Sequence, residues 1–340
     1  MRARGVVIGG GFFSRIQMEA WNRLRDHGEI VAVCDADEAR AQAFARDFGI
    51  ARSYSDAARM IEAERPGFVD IVTRPDTHLA LATLAAKHGV HILCQKPFAP
   101  TLAEATRIVE VAEAAGVRLM VNENWRWQPW YREMKRRLDA GEIGEVTNAV
   151  WMHSNSDGLL DPPYPNQPYF AQYPRLLIYE TLVHFLDSAC YLFGRPDSLR
   201  AYTKRVNPVI AGEDSAQIRL FWPDGRRCWI TATRCGEIFE NNLTMARLRI
   251  DGTKGTLAMM GDGSLWIGGG PSGGGELKRI DWEPPVLGYK GDSALATQRH
   301  FLECLTSGAP FETGGRDYLF AVRMVETSCE SVATRATLAL

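Results

Sequence analysis

Four ionisable side chains interrupt a stretch that is otherwise almost wholly apolar, RLLIYETLVHFLDSACYLFG at 175–194. Glu180, His184, Asp187 and Tyr191 follow one another at intervals of 4, 3 and 4 residues. An α-helix turns about 100° per residue, so this spacing places all four in a stripe about 60° wide. A helix that is apolar on nearly every side is usually buried. The pattern therefore predicts a buried helix over 175–194 that presents a line of ionisable groups.

These residue types suit the removal of a proton from a hydroxyl group. Histidine is a good general base because its unperturbed pKa lies near neutrality, and His184 occupies the middle of the stripe. Glu180, one turn earlier, can hold substrate hydroxyls or tune the histidine. Two alternatives stay open, namely a plain structural hydrogen bond between the two side chains and a metal site that also uses Asp187. The spacing matches no known metal motif, so no metal is predicted.

A second chemical signal is the glycine-rich turn GGGFFS that follows the first predicted strand. Gly9 permits a tight turn, and Gly11 lets backbone N–H groups approach a pyrophosphate at the N-terminus of the next helix. Ser14 occupies the third small position of the motif. Asp35 ends the next predicted strand, where an acid is expected to bind the ribose hydroxyls. The turn therefore predicts a dinucleotide site, and the alternative is a glycine turn that binds no ligand.

Asp35 also bears on the choice of cofactor. Its carboxylate can accept hydrogen bonds from both ribose hydroxyls but would repel a 2′-phosphate. Ala36 and Asp37 bring no cation beside it. Arg40 is interpreted as a solvated helix residue, with a phosphate contact as the alternative. The sequence therefore predicts NAD in preference to NADP.

The bulk composition excludes several classes of function. The chain has 340 residues and a net charge of −2, with acidic and basic residues interspersed, which gives no electrostatic case for nucleic acid or an anionic membrane. The stretch at 175–194 is long enough for a membrane span, but its ionisable side chains make that position costly. Seven cysteines are scattered singly, which indicates reduced thiols and predicts a cytoplasmic protein.

The order of predicted elements indicates two domains. Strand-like and helical runs alternate over 3–121, which predicts a Rossmann-like parallel sheet in a domain at 1–122. After it, strand-like runs separated by turns such as PDG and GDG predict an α+β domain at 123–340, with a large, mostly antiparallel open sheet. The run GGGPSGGG at 268–275 is predicted to be a flexible loop.

Three further segments follow predicted strands of the first domain: TRPDTH at 73–78, CQKPF at 94–98 and NENWRW at 122–127. In open α/β sheets, ligands bind outside the carboxyl ends of the strands. Taken with the glycine turn, the E-x-x-x-H pattern at 180–184 and YKGDSALATQRHF near the C-terminus, these segments resemble the Gfo/Idh/MocA oxidoreductases. The resemblance covers nearly the whole chain. Gln95 replaces the glutamate of the family's E-K-P, and Glu180 replaces the aspartate of its D-x-x-x-H.

The resemblance implies an NAD-dependent dehydrogenase that oxidises a hydroxyl of a sugar or cyclitol. It implies that Lys96 polarises the substrate oxygen, that His184 acts as the base, and that Glu180 assists. The implied cofactor contacts are Gly9, Gly11, Phe12, Phe13, Asp35, Thr73, Pro75, His78, Gln95 and Lys96. The implied substrate contacts are Lys96, Asn122, Arg126, Trp127, Tyr179, Glu180 and His184.

The resemblance also bears on the substrate and on the assembly of the protein. Oxidation of an aldose to its lactone is the narrower expectation, with a pentose such as apiose as one candidate. The alternatives are an NAD-dependent glycosidase that uses transient oxidation, and a non-catalytic dinucleotide-binding regulator, which should lack the Lys96 and His184 pair. The resemblance also implies a homo-oligomer, a dimer or tetramer, formed through the open face of the second-domain sheet, where Trp229 or Trp266 would be exposed.

Overall fold

The computed structural model describes residues 2–237, 243–270, 275–285 and 288–340. Residues 271–274 of the loop predicted at 268–275 therefore lie outside the described residues. The strands are, in chain order, β1 (Ala3–Ile8), β2 (Gly28–Cys34), β3 (Arg52–Tyr54), β4 (Phe68–Ile71), β5 (His91–Gln95), β6 (Leu119–Asn122), β7 (Val146–Ser154), β8 (Ser198–Lys204), β9 (Ser215–Phe221), β10 (Arg227–Thr233), β11 (Ala246–Gly252), β12 (Thr256–Met259), β13 (Leu265–Gly268), β14 (Lys278–Arg279) and β15 (Leu338–Ala339). The α-helices are α1 (Phe12–Arg23), α2 (Glu38–Phe48), α3 (Ala57–Glu64), α4 (His78–Lys87), α5 (Leu102–Ala114), α6 (Pro129–Asp139), α7 (Val183–Phe193), α8 (Ser293–Ser307) and α9 (Gly315–Thr334).

The chain divides into two compact units, and the division differs from the predicted one at residue 122. The first unit is Met1–Asn124 with Asp292–Val322, and the second is Trp125–Gly291 with Arg323–Leu340. The late segment joins the first unit because it covers the outer edge of β6. The Val121 N–H donates to the Thr313 carbonyl at 2.9 Å, and the Thr313 hydroxyl donates to the Val121 carbonyl at 2.7 Å. A sheet edge paired in this way has no open hydrogen-bonding groups at that point.

The first unit is built on a six-stranded parallel sheet in the order β3-β2-β1-β4-β5-β6. This Rossmann order confirms the prediction, and it places the topological switch between β1 and β4, where such sheets bind nucleotides. The core between the sheet and its helices contains Trp21, Phe68 and Phe301. The ring centroid of Phe68 lies 5.2 Å from that of Trp21 and 5.4 Å from that of Phe301. β3 and α3 were not predicted, and the three residues of β3 are too few to show a period.

The second unit contains a nine-stranded sheet in the order β14-β13-β12-β11-β7-β10-β9-β8-β15. Its neighbours are antiparallel except for β7 and β10, which run parallel, so the predicted mostly antiparallel sheet is confirmed. One face packs against α7, where Trp151 of β7 contacts Phe185 and Phe193 edge-on. On the other face Met152, Tyr202 and Trp229 each keep 43% of their surface exposed.

The helix predicted over 175–194 is buried as expected but is not one regular α-helix. Leu177–Leu182 forms a π-helical turn, and α7 follows from Val183. The carboxylate of Glu213 accepts hydrogen bonds from the N–H groups of Leu176 at 3.2 Å and Ile178 at 3.0 Å. This capping group comes from a distant part of the chain, so the local pattern did not reveal it. Glu180 lies in the wide turn, and the spacing rule of an α-helix therefore does not apply to it.

No helix among the described residues has both the length and the apolar character that a membrane crossing needs. The seven cysteines are all unpaired thiols, and Cys34, Cys94, Cys228 and Cys304 are buried.

Candidate active site

The glycine turn connects β1 to α1 in a conformation that requires glycine at its first position. Gly9 has φ +108°, and a Cβ there would lie 2.2 Å from the Val72 carbonyl oxygen. A Cβ on Gly11 would meet nothing within 4 Å. Gly11 is the N-cap of α1, and no side chain of the described residues caps that helix end. The first-turn N–H groups are thus arranged as an anion site at an open surface.

Asp35 is held next to this turn by the backbone. Its Oδ2 accepts from the Gly10 N–H at 2.8 Å, and its Oδ1 accepts from the Asp37 N–H at 2.9 Å. The guanidinium of Arg40 lies 3.5 Å from Oδ1, with about half of its side chain exposed. Arg40 is therefore more than a solvated helix residue, because it places a cation beside the acid that was expected to exclude a 2′-phosphate.

The residues that follow β4 are fixed by a buried histidine. The Nδ1 atom of His78 lies 3.0 Å from the Phe98 carbonyl, and Nε2 lies 3.1 Å from the Thr73 carbonyl. Its side chain has no exposed surface, and burial lowers its pKa. Pro75 opens a short 3-10 helix nearby and is also buried. His78 was expected to contact the cofactor, but with no accessible atoms it instead joins the loop after β4 to the segment after β5.

Lys96 lies directly after β5 and is half-buried. Its N–H donates to Oε1 of Gln95 at 2.7 Å, which fixes the start of the loop. The Nε2 of Gln95 is buried and has no hydrogen-bond partner among the described residues. Asn122 pairs with Gln95 in the register of β5 and β6, and it is fully buried. The expected contact of Asn122 with substrate is therefore not supported, because none of its surface is accessible.

In the second unit, His184 lies near the start of α7 and is 5% exposed. The indole of Trp125 stacks on it, with ring centroids 4.3 Å apart and planes inclined by 19°. Trp125 begins a 3-10 turn that ends at Trp127. Trp127 was predicted as a site residue from the WRW run, whereas Trp125, in the same run, was not predicted.

The turn that carries Trp125 is pinned to α7 by an ion pair. Arg126 binds Asp187 through two hydrogen bonds of 2.8 and 2.5 Å, and both side chains are mostly buried. Arg132 stacks on the Trp127 ring at 3.6 Å and donates to the Tyr191 hydroxyl at 3.0 Å. Arg126 and Trp127 were expected to bind substrate, whereas these contacts give both of them a structural role beside His184.

Two partners, Thr181 and Arg234, contact one oxygen of the Glu180 carboxylate. Its Oε2 accepts from the Thr181 hydroxyl at 2.8 Å and lies 3.5 Å from Nη1 of Arg234. Arg234 comes 54 residues later in the chain, and nothing in its local sequence indicated this contact. Tyr179, the neighbour of Glu180, is half-buried, with its ring 6.1 Å from that of Tyr173.

The comparisons with known proteins cover both units. A model of an oxidoreductase family with an NAD-binding Rossmann fold, GFO_IDH_MocA, matches residues 3–123, and a model of the GFO/IDH/MocA C-terminal domain matches residues 131–258. The D-apiose dehydrogenase of Paraburkholderia graminis is 39% identical over 100% of this chain and 90% of the relative. The chain belongs to the Gfo/Idh/MocA oxidoreductase family.

Two further relatives match this Gfo/Idh/MocA chain over almost its full length. The D-apiose dehydrogenase of Rhizobium rhizogenes is 36% identical over 98% of this chain and 96% of the relative. A solved structure of an oxidoreductase from Agrobacterium radiobacter, in complex with NAD+, L-tartaric acid and magnesium, is 34% identical, with a TM-score of 0.91. The match covers 100% of this chain and 98% of the chain from Agrobacterium radiobacter.

Membership of the Gfo/Idh/MocA family makes the first unit an NAD-binding domain and confirms the predicted cofactor. The residues present fit that cofactor. The Cβ position of Gly11 faces open space, no side chain of the described residues caps the N-terminus of α1, and Asp35 directly follows β2, where a ribose-binding acid is expected. Among the described residues, no cluster of three or more His, Cys, Asp or Glu side chains could hold a metal ion.

Proposed function

We propose that this protein is an NAD-dependent dehydrogenase that oxidises a hydroxyl group of a sugar, and that D-apiose is a substrate. One observation carries the proposal: two D-apiose dehydrogenases match the chain over nearly its full length at 39% and 36% identity. The E-x-x-x-H residues of the second unit support it, because a buried His184 and a carboxylate at Glu180 are the groups that such a reaction needs.

His184 takes the proton of the substrate hydroxyl in this proposal. The stacked Trp125 fixes the plane of the imidazole, so little reorientation is needed at the moment of transfer. The Lys96 ammonium donates to the same oxygen and stabilises the negative charge that develops on it. The Glu180 carboxylate accepts hydrogen bonds from neighbouring hydroxyls and so selects a polyhydroxylated substrate.

The cofactor is held by the glycine turn and the acid of the first unit. The α1 N-terminus binds the pyrophosphate at Gly11, and Asp35 binds the ribose hydroxyls. Phe12 and Phe13 begin α1, and Thr73 follows β4 next to Gly9; all three are proposed as further contacts. When bound, NAD supplies the acceptor for the hydride that leaves the substrate carbon. An aldose oxidised at its anomeric carbon would give the lactone.

The test is to mix the pure protein with NAD and a panel of sugars and cyclitols that includes D-apiose and myo-inositol. The absorbance of reduced nicotinamide reports turnover. Lys96→Ala and His184→Ala should each lower kcat/KM by about a hundredfold or more. The exposed Lys87→Ala and His88→Ala serve as matched controls that should keep wild-type rates. The proposal fails if no polyol reduces NAD, or if the two active-site variants match their controls.

The same assay separates the two alternatives. An aryl glycoside that turns over without net NADH would indicate a glycosidase. Saturable NAD binding without turnover of any polyol or glycoside would indicate a regulator.

We also propose that the chain forms a homo-oligomer through the open face of the nine-stranded sheet. Trp229 and Tyr202 are exposed there, and the guanidinium of Arg219 lies 4.3 Å from the Trp229 ring centroid. A rigid, exposed aromatic surface of this kind is typical of an interface. Light scattering should give the mass of a dimer or tetramer for the wild type and a smaller mass for Trp229→Glu. A monomeric wild type would refute this part of the proposal.

A further inference from the structure

Arg234 is a buried cation that lies between the carboxylates of Asp157 and Glu180. It directly follows β10, and only 9% of its side chain is exposed. Its Nε donates to Oδ1 of Asp157 at 3.0 Å, and its Nη2 donates to the other carboxylate oxygen of Asp157. Its Nη1 is directed the other way, 3.5 Å from Oε2 of Glu180 and 3.4 Å from the Thr181 hydroxyl. One guanidinium therefore links two carboxylates.

Two aromatic rings prevent this guanidinium from turning. Its central carbon lies 4.7 Å from the ring centroid of Tyr164 and 5.1 Å from that of Phe170. Both rings belong to a small core that also contains Leu176 and Ile210. A planar cation packed against rings and bound in a fork by a carboxylate keeps one orientation. The direction of Nη1 is therefore set before any ligand arrives.

We infer that Arg234 is a positioning residue that fixes the direction and the negative charge of the Glu180 carboxylate for binding substrate hydroxyls. The inference rests on the proposed function of Glu180. Its physical basis is that a buried carboxylate keeps its charge only if a cation or hydrogen bonds stabilise it. Thr181 supplies one such hydrogen bond, and Arg234 supplies the cation.

The length of the Glu180 side chain gives these contacts a further role. Glu180 has one more rotatable bond than aspartate, which costs more conformational entropy to fix. It also lies on a π-helical turn and not on regular helix. The contacts from Thr181 and Arg234 to a single oxygen limit the rotamers of the longer side chain. Arg234 thereby compensates for the extra methylene.

Several titratable groups face this pair and must be counted in any pH experiment. Asp157 and Tyr164 come from the segment that follows β7, Asp214 precedes β9, His153 comes from β7, and His184 follows Glu180 on the same helical segment. Burial raises the pKa of the Tyr164 phenol and lowers the pKa of His153 to about 4, so both are neutral near neutral pH.

A carboxyl titration tests the inference without depending on turnover. In protein labelled with ¹³C at the glutamate carboxyl groups, Glu180 is assigned as the signal lost in Glu180→Gln. Arg234→Met should raise the pKa of Glu180 by about one unit or more, and Arg234→Lys should restore most of the shift. Arg136→Met is the matched control, because the exposed Arg136 side chain binds a different glutamate, Glu133, and it should leave the Glu180 signal unchanged. An unchanged pKa of Glu180 in folded Arg234→Met would overturn the inference.

Asp157→Asn provides a second variant if Arg234→Met does not fold, as judged by near-UV circular dichroism. It keeps the cation but weakens the fork that orients it, so a smaller rise in the pKa of Glu180 is expected. No rise in this variant would also count against the inference.

Kinetics with a confirmed sugar substrate give an independent readout. Arg234→Met should raise the substrate KM about tenfold, and Arg234→Lys should recover part of that loss. The variant Glu180→Gln/Arg234→Met should be no worse than Glu180→Gln alone, because both changes remove one function. Additive losses would show that the two residues act separately and would overturn the inference. A protein that oxidises no sugar refutes the proposed function, while the carboxyl titration still decides the link between Arg234 and Glu180.

Discussion

The indole of Trp125 lies almost parallel to the imidazole of His184, 4.3 Å from it between ring centroids. Both residues are buried, and the ion pair between Arg126 and Asp187 holds the turn of one against the helix of the other. The imidazole therefore has one face occupied by a fixed aromatic ring, and its orientation depends on three neighbouring side chains.

Trp125→Ala should lower kcat with the confirmed sugar by about tenfold or more, because loss of the indole frees the imidazole to rotate. Trp125→Phe keeps an aromatic face and should retain most of the activity. Steady-state rates of NAD reduction check both variants. If Trp125→Ala keeps wild-type kcat while remaining folded, stacking does not contribute to the orientation of the base.

Gly9 and Gly11 should respond differently to the same substitution. Gly9→Ala combines an unfavourable φ with a Cβ against the Val72 carbonyl, so it should destabilise the protein by on the order of 3 kcal/mol. Gly11→Ala meets no protein atom and should unfold like the wild type, yet it should weaken NAD binding because the added methyl group obstructs the pyrophosphate. Thermal unfolding and NAD titration measure the two effects. Equal unfolding temperatures for both variants would contradict this view of the turn.

Asp35→Ala should weaken NAD binding by about tenfold or more, because the acceptor for the ribose hydroxyls is lost. It also removes the carboxylate that Arg40 faces at 3.5 Å, so the guanidinium becomes available to a 2′-phosphate. The variant should therefore bind NADP better than the wild type does. Adding Arg40→Ala to it should remove that gain. Fluorescence titration with both cofactors provides the measurement, and an unchanged preference for NAD in Asp35→Ala would contradict the assignment.

The free energy of unfolding of the first unit should fall as the pH rises, because Asp70 is buried in its protonated form. Its carboxyl is fully buried in β4, accepts from the Trp21 indole N–H at 2.8 Å, and has a pKa raised to about 7 by burial. The unfolded chain loses this proton near pH 4, so between about pH 4 and about pH 7 the folded state binds more protons and stability falls with rising pH. The loss is complete above about pH 7 and amounts to ~4 kcal/mol at most.

Asp70→Asn tests this directly, because the amide oxygen can still accept from Trp21 but cannot ionise. Urea unfolding at about pH 5 and about pH 8 should show a smaller loss for the variant than for the wild type. Identical pH dependence in the two proteins would mean that Asp70 keeps the same protonation state in the folded and unfolded chains.

The nucleotide site of the first unit was predictable because its residues lie close together in the sequence. The glycine turn and Ser14 follow β1, and Asp35 follows the next strand, β2. The structure gives Ser14 the buried position against the Val72 carbonyl that helix-on-strand packing requires. The spacing of such residues along the chain is enough to place them at one sheet edge.

The second unit was less predictable because its key contacts join distant segments. Arg234 reaches Glu180 across 54 residues, and a choice between Trp125 and Trp127 depends on which of them faces α7. In the first unit the burial of His78 and Asn122 was equally hard to predict, because it depends on how loops and strands pack and not on the residue types at strand ends.

The π-helical turn at Leu177–Leu182 allows the number of residues in this segment to change. Such a turn has one residue more than regular helix needs, so a single-codon deletion there can be absorbed by tightening the coil, with Val183–Phe193 left as it is. A different side chain would then stand beside Arg234, while the base stayed in place. Substrate preference could in this way diverge among descendants of one ancestral gene through an indel of three nucleotides. A library of one-residue deletions at 177–182, screened against the sugar panel, should then yield folded proteins with altered preference, and uniform misfolding would refute the idea.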